Sequence, residues 1–95
     1  MTPLARDSAE ILAIEALVWL AADDELLPVF LGSTGAGVDD IRARAQDPEF
    51  LASVLDFILM DDAWVAAFCA ANDYAMDFPM RARGALPGGA AVNWT

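Results

Sequence analysis

The chain contains no histidine, no lysine and a single cysteine, Cys69. Lack of histidine removes the usual general base near neutral pH and the commonest zinc ligand. One cysteine precludes an intramolecular disulfide and leaves transition-metal and Cys–His chemistry little to work with. Positive charge is limited to five arginines against fifteen acidic residues, giving a net charge of −10. Nucleic-acid binding requires a basic face to neutralise phosphates, and anionic membrane surfaces are disfavoured on the same ground. Long apolar runs are also missing. The stretch from Ile11 to Ala22 is interrupted by Glu15 and flanked by acids, unlike a secretory signal, and nothing approaches the roughly 20 residues of a membrane span. The expectation is a cytoplasmic protein without nucleic-acid or membrane partners.

What is abundant is apolar side chain. Hydrophobic residues make up 58% of the 95 positions, above the usual share of about 45–50%. Alanine, a strong helix former, supplies part of the excess; the remainder points to a surface covered by another subunit or another protein. A chain of this length forms one domain with one core, with residues 1–6 and 88–95 expected as flexible ends. The organising stretch is Asp47 to Asn72, two helices meeting at Asp61-Asp62. Its second part, Ala63 to Ala71, has no polar side chain, so it is expected to be buried on every side as the central helix of a bundle.

Capping signals divide the rest. Asp7 or Ser8 can cap a first helix ending near Ala22, and Asp7 with Glu10 has the spacing of a capping box; Glu10 and Glu15 mark its wet side. Ile11, Ile14, Val18 and Ala21 form its expected inward stripe, widened by Leu12, Trp19 and Leu20. Asp23 and Asp24 offer caps for a second helix from Glu25 to about Leu31, where Pro28 predicts a kink or a late start. The glycine-rich GSTGAG, Gly32 to Gly37, follows a helix with no strand before it. It therefore reads as a helix end and turn and not as a phosphate loop. Asp39 or Asp40 starts a short helix through Ala45, with exposed Asp39–Arg42 and Asp40–Arg44 pairs expected. Asp47-Pro48-Glu49 is a strong start signal for a helix carrying Phe50, Leu51, Val54, Leu55, Ile58 and Leu59 inward. Asp77 opens a last helix through Arg83, and the tail is expected to be mobile unless Trp94 docks.

Sliding the chain by 38 residues places Leu17 over Leu55, Asp23-Asp24 over Asp61-Asp62 and Phe30 over Phe68. One further residue in the loop brings Ile41-Arg42-Ala43-Arg44 over Met80-Arg81-Ala82-Arg83. The pattern predicts a duplicated helical unit of about 38 residues, too few copies for a solenoid, with the halves packed face to face about an approximate two-fold axis.

No group of residues has the vocabulary of a catalyst. The pairs Asp23-Asp24, Asp39-Asp40 and Asp61-Asp62 lack the alternating ligands of a calcium loop and each falls where a helix should begin, so capping accounts for them. Ser8, Ser33 and Ser53 are in no nucleophile-elbow context. The two Arg-Ala-Arg segments place one guanidinium of each pair inward, where it can serve helix ends. No catalytic, cofactor-binding or metal-ligating residue is assigned, and no cofactor is expected.

Three segments carry a family resemblance: AADDELLPVFLGSTG, IRARAQDPEFLASVLDFILMDDAWVAAFCAA and RARGALPG. Across residues 10–88 the chain resembles a family of short, acidic, mostly alphaproteobacterial proteins known only as a domain of unknown function. Pro28 departs from the helix-favouring residue expected there. The resemblance implies a compact helical protein and brings no activity and no site residues. The combined expectation is an all-α bundle of five or six short helices acting as a non-enzymatic protein-interaction or regulatory module, binding itself or another protein. A pocket for a small apolar ligand between helices is the alternative, and an acidic mimic of nucleic acid ranks below both.

Overall fold

A computed structural model describes residues 5–35 and 37–86. Six helices follow in order: α1 (Arg6–Ala21), α2 (Leu26–Thr34), α3 (Val38–Arg44), α4 (Pro48–Ile58), α5 (Asp62–Asn72) and α6 (Phe78–Gly84). No strand interrupts them among the described residues, so the fold is an all-α bundle. The Cα radius of gyration, 12.6 Å, is that of a compact domain, about 13 Å for 100 residues.

Three aspartates start helices as the sequence predicts. The Asp23 carboxylate accepts hydrogen bonds from the backbone N–H groups of Glu25 and Leu26 at 2.9 and 3.0 Å. Asp47 accepts from Glu49 at 3.0 Å and Asp61 from Ala63 at 2.8 Å. Each satisfies a donor that the first helical turn leaves without a partner. Regular α2 begins at Leu26, after a turn in which the Leu27 N–H bonds the Asp23 carbonyl at 3.0 Å; Pro28 has no N–H to continue that turn, and the late start is the outcome. The helix then continues past its expected end through Gly32, Ser33 and Thr34. It stops at Gly35, which adopts the left-handed conformation (φ 75°) that glycine enters without steric penalty.

Other local expectations are corrected. Neither Asp7 nor Ser8 caps α1, which begins at Arg6; Glu10 instead meets Arg6 at 3.3 Å. The Asp39–Arg42 and Asp40–Arg44 pairs do not form. Asp40 turns back to accept from the Gly37 N–H at 2.9 Å, and Arg44 lies 3.8 Å from Asp47 and over the Phe50 ring. Arg83 of the last helix makes two hydrogen bonds to the Asp56 carboxylate of α4, at 2.6 and 3.2 Å. The expectation for Trp94 lies outside the described residues.

The larger correction concerns the centre. Only Val65, Phe68 and Cys69 of α5 are buried, whereas Ala63, Ala66, Ala67, Ala70 and Ala71 face solvent. Alanine counts as apolar but removes little area from water, so a helix whose outer face is alanine need not be covered. The centre is α1 against α4, with α6 packed on both. Helix α4 buries Phe50, Leu51, Ala52, Val54, Leu55, Phe57 and Ile58, close to the predicted face. Helix α1 buries the face opposite the predicted Ile11, Ile14, Val18 and Ala21 stripe, while Leu12 and Leu20, expected to widen that stripe, are inside as predicted. Ala9, Leu12, Ala13, Ala16, Leu17 and Leu20 are inside, and three of these six are alanines, which let neighbouring helices approach closely. Ile11, Ile14 and Val18 are outside, 57%, 39% and 65% exposed, and Ala21 is exposed with them.

The aromatic residues complete the interior. Phe30 of α2 meets Phe50 and Phe57 edge-on, with centroids 5.9 and 5.4 Å away, and Phe57 stacks on Trp64 at 4.8 Å. Of the helices matched at the 38-residue offset, α1 packs on α4, and the Trp19–Phe68 contact has its counterpart in Phe57–Phe30; the third helices differ, since α6 buries Pro79 and Ala82 against the core while α3 buries no residue.

Candidate functional site

The outer face of α1 is the feature that folding leaves unexplained. Ile11, Ile14 and Val18 are spaced i, i+3, i+7, which puts them on one line of the helix. All three are β-branched, and β-branched side chains are slightly worse helix formers than alanine because the helix restricts χ1. On a solvent face they gain little from the core to offset that. Scattered exposed hydrophobics are ordinary; three aligned ones adjoining half-buried aromatic rings form a contiguous patch.

Those rings come from both halves of the chain. Trp19 of α1 meets Phe68 edge-on at 6.0 Å, Phe68 lies 5.9 Å from Tyr74, and Tyr74 stacks on Phe78 at 5.7 Å. The row runs beside α1 from its last turn back towards its first. Two depressions flank the helix along this row. One, of about 260 Å³, is lined by Ser8, Ile11, Leu12, Tyr74 and Phe78. The other, of about 350 Å³, is lined by Ile14, Glu15, Val18, Trp19, Ala22, Ala71 and Asn72. Both are open to solvent, and they follow one another along α1, separated by the Tyr74 hydroxyl, which donates a hydrogen bond to Glu15. From Ser8 to Ala22 this makes a shallow groove of about 21 Å, at 1.5 Å per helical residue.

The bond between Tyr74 and Glu15 joins residues 59 apart in sequence and pins the α5–α6 connection to α1. It also shapes the local electrostatics. The carboxylate that accepts from Tyr74 raises its phenol pKa to about 12, with burial and the Glu15 charge acting in the same direction. The connection itself is set by Asp73, which closes α5 in the left-handed conformation (φ 62°), an arrangement that aspartate tolerates better than most residues.

No group of three or more cysteine, aspartate or glutamate side chains among the described residues is arranged to hold a metal ion. The aspartates singled out from the sequence are dispersed, with Asp23, Asp40 and Asp61 each bonded to a backbone N–H. Cys69 is buried, its Sγ lying 3.5 Å from the carbonyl oxygen of Ala75. Burial, then the nearby Asp77 charge, pushes its thiol pKa upward, which lowers the thiolate fraction on which reactivity depends. Ser53 donates to the Phe50 carbonyl at 2.6 Å within its own helix. None of these arrangements pairs a nucleophile with a base.

The groove was not legible as such, since its three β-branched residues were the ones expected inside. A signal for the true orientation was present: Ala9, Ala13 and Ala16 recur at i, i+4, i+7 on one side of α1, and a seam of small residues marks close helix contact as well as a stripe of large ones does.

Fold and groove together define a small helical bundle with an open apolar face and no assembled catalytic centre among the described residues. By sequence, the chain belongs to the family described as "Protein of unknown function (DUF3572)", whose model matches residues 6–89. No curated protein and no solved structure matches the chain. No helix among the described residues is long and apolar enough to cross a membrane.

Proposed function

We propose that this protein is a non-enzymatic interaction module that docks a protein partner along the outer face of α1. The observation that carries the reading is the aligned, exposed Ile11, Ile14 and Val18 beside the row of Trp19, Tyr74 and Phe78. Rigid aromatic and branched aliphatic surfaces lose little conformational entropy on contact and supply most of the area that drives association. The pin between Tyr74 and Glu15 supports a preformed surface, since it holds both walls of the groove before any partner arrives.

An open groove favours a protein segment over a small apolar ligand, because small-molecule sites enclose most of the ligand surface. The carboxylates are dispersed over helix starts, which weighs against a mimic of nucleic acid. A cytoplasmic setting belongs to the same proposal.

The test is affinity capture with tagged protein, run beside a variant carrying Ile14→Ser and Val18→Ser. Both positions are exposed, so the variant should keep its helical circular dichroism and its melting temperature. A partner retained by the parent and lost by the variant supports the assignment. Equal recovery by both proteins, or none by either, removes α1 as the docking face.

A further inference from the structure

We infer that the occupant of the α1 groove is a basic amphipathic helix of another protein, selected by its charge as well as by its apolar stripe. This deepens the interaction reading above and rests on it. The motivation is the rim of the groove. Helix α1 carries Asp7, Glu10 and Glu15 around the exposed stripe. Across the groove, Asp73 lies between the lining residues Asn72 and Tyr74, and Asp77 immediately precedes Phe78. The cations on the same side are Arg6, paired with Glu10 at 3.3 Å, and Arg81, 3.8 Å from Asp77 and over the Phe78 ring. Five carboxylates thus line the groove, as Glu15 does, or directly adjoin its lining residues in sequence, against two arginines that already have acidic neighbours.

That pattern discriminates between occupants. A second copy would bring the same acidic rim against itself, and each copy carries a net charge of −10, so like charges oppose self-docking. An anionic membrane surface is repelled for the same reason. A helix with apolar residues at i, i+3, i+4 and i+7 and lysine or arginine on its flanks satisfies both features at once. Its apolar side covers Ile11, Ile14, Val18 and the rings, and its cations reach the rim. The groove length of about 21 Å accommodates roughly four turns of such a helix.

The experiment uses three synthetic helix-forming peptides of equal length and the full-length protein, followed by titration calorimetry and amide chemical-shift mapping. The first peptide carries a leucine stripe with lysine flanks. The second keeps the lysines and replaces the stripe with serine. The third keeps the stripe and replaces lysine with glutamate. The first alone should bind, with shifts concentrated on residues 8–22 and 71–78. Its affinity should fall steeply with added salt, which shortens the screening length from about 10 Å at 0.1 M to about 3 Å at 1 M. Ile14→Ser with Val18→Ser should weaken it by about tenfold or more, and Ile11→Ser with Glu15→Gln should weaken it as an independent pair.

Binding of the glutamate peptide as tightly as the lysine peptide overturns the charge selection while leaving the interaction module standing. Equal binding of the serine peptide, or shifts centred on α2 and α3, shows attraction to the acidic chain in general and overturns the inference. No binding by any peptide overturns it too; the interaction reading is then decided separately by the capture experiment. A concentration-dependent dimer broken by the α1 substitutions identifies a second copy as the occupant and refutes a basic partner.

Discussion

Ala43 and Ala82 occupy matching places in the two halves of this chain, each between the arginines of an Arg-Ala-Arg segment, and their surroundings are opposite. Ala82 is 0% exposed in α6, whereas Ala43 faces solvent in α3. The neighbouring contacts diverge likewise. Arg83 crosses to α4 and holds Asp56 with two hydrogen bonds; Arg44 stays local, beside Asp47 and Phe50. Upstream of these segments the halves agree closely. Asp23 and Asp61 both cap, Phe30 and Phe68 are both fully buried, and Leu20 and Ile58 are both inside. Correspondence therefore holds for features decided within one or two turns of chain. It fails where a third helix must choose what to pack against.

Substitutions at the matched positions can sharpen or break that comparison. The largest effects are expected where the halves agree. Phe30→Ala and Phe68→Ala should each lower unfolding free energy by about 3–5 kcal/mol, the range for deleting a buried ring. That is a large part of the 5–15 kcal/mol typical of a whole domain. Denaturant midpoints measure it, with Phe30→Leu and Phe68→Leu in reserve should either alanine variant fail to fold. A cost at one position several times that at the other would end the claim that the two phenylalanines do the same work. Where the halves disagree the expected effects separate. Ala82→Leu must insert three heavy atoms into a closed contact and should cost about 1–3 kcal/mol; Ala43→Leu should stay within about 0.5 kcal/mol of the parent. Equal melting temperatures for these two variants would mean that α6 is no more tightly packed than α3.

The same distinction explains how much of the molecule its sequence discloses. All six helices could be placed, and three of the four aspartate starts named for α2, α4, α5 and α6 were confirmed by side-chain bonds, because a carboxylate and the N–H groups it accepts from lie within three residues. Asp77 makes no capping bond and pairs with Arg81 instead, and the starts named for α1 and α3 fail likewise, since α1 is entered from Ala5 and α3 from Gly37, which leaves Asp7, Asp39 and Asp40 inside the helices. The buried face of α4 was readable because Glu49 and Asp56 mark its wet side. Helix α5 carries apolar residues nearly all round, so no polar stripe fixes its orientation; on α1, Asp7, Glu10 and Glu15 do flank the face that is exposed, but the large residues Ile11, Ile14 and Val18 between them outweighed that signal. Large residues were assigned inward on α1 when Ala9, Ala13 and Ala16 form the contact, and α5 was placed at the centre on the strength of alanines that remain in water. The groove was hidden by the same ambiguity. Its walls also come from residues 8–22 and 71–78, and only tertiary packing brings those segments together.

The tie that closes this groove provides the smallest expected effect and a direct measurement. Glu15 matches Ser53 at the 38-residue offset, and the two behave differently: Ser53 donates to a carbonyl in its own helix, while Glu15 accepts from Tyr74 across the molecule. Tyr74 is the chain's one tyrosine, so the ultraviolet absorbance of tyrosinate reports it without interference. Its folded pKa, raised to about 12 chiefly by the hydrogen bond to Glu15, exceeds the ordinary tyrosine value of about 10. The sign follows from proton linkage. Between these values the unfolded chain has lost a proton that the folded chain retains, so stability declines as pH rises. The contribution is whole below about pH 10 and is lost as pH passes through about 12. Glu15→Ala removes the hydrogen bond and the charge together and should return the titration most of the way towards 10, with burial leaving a remainder. Its melting temperature should change little, because the pair sits near solvent. Ser53→Ala should leave the Tyr74 titration unmoved. A parent protein titrating at the ordinary tyrosine value, or a Glu15→Ala curve that overlays the parent, would show that α1 and the α5–α6 connection are not pinned at this point. The groove would then have to be regarded as two separate depressions.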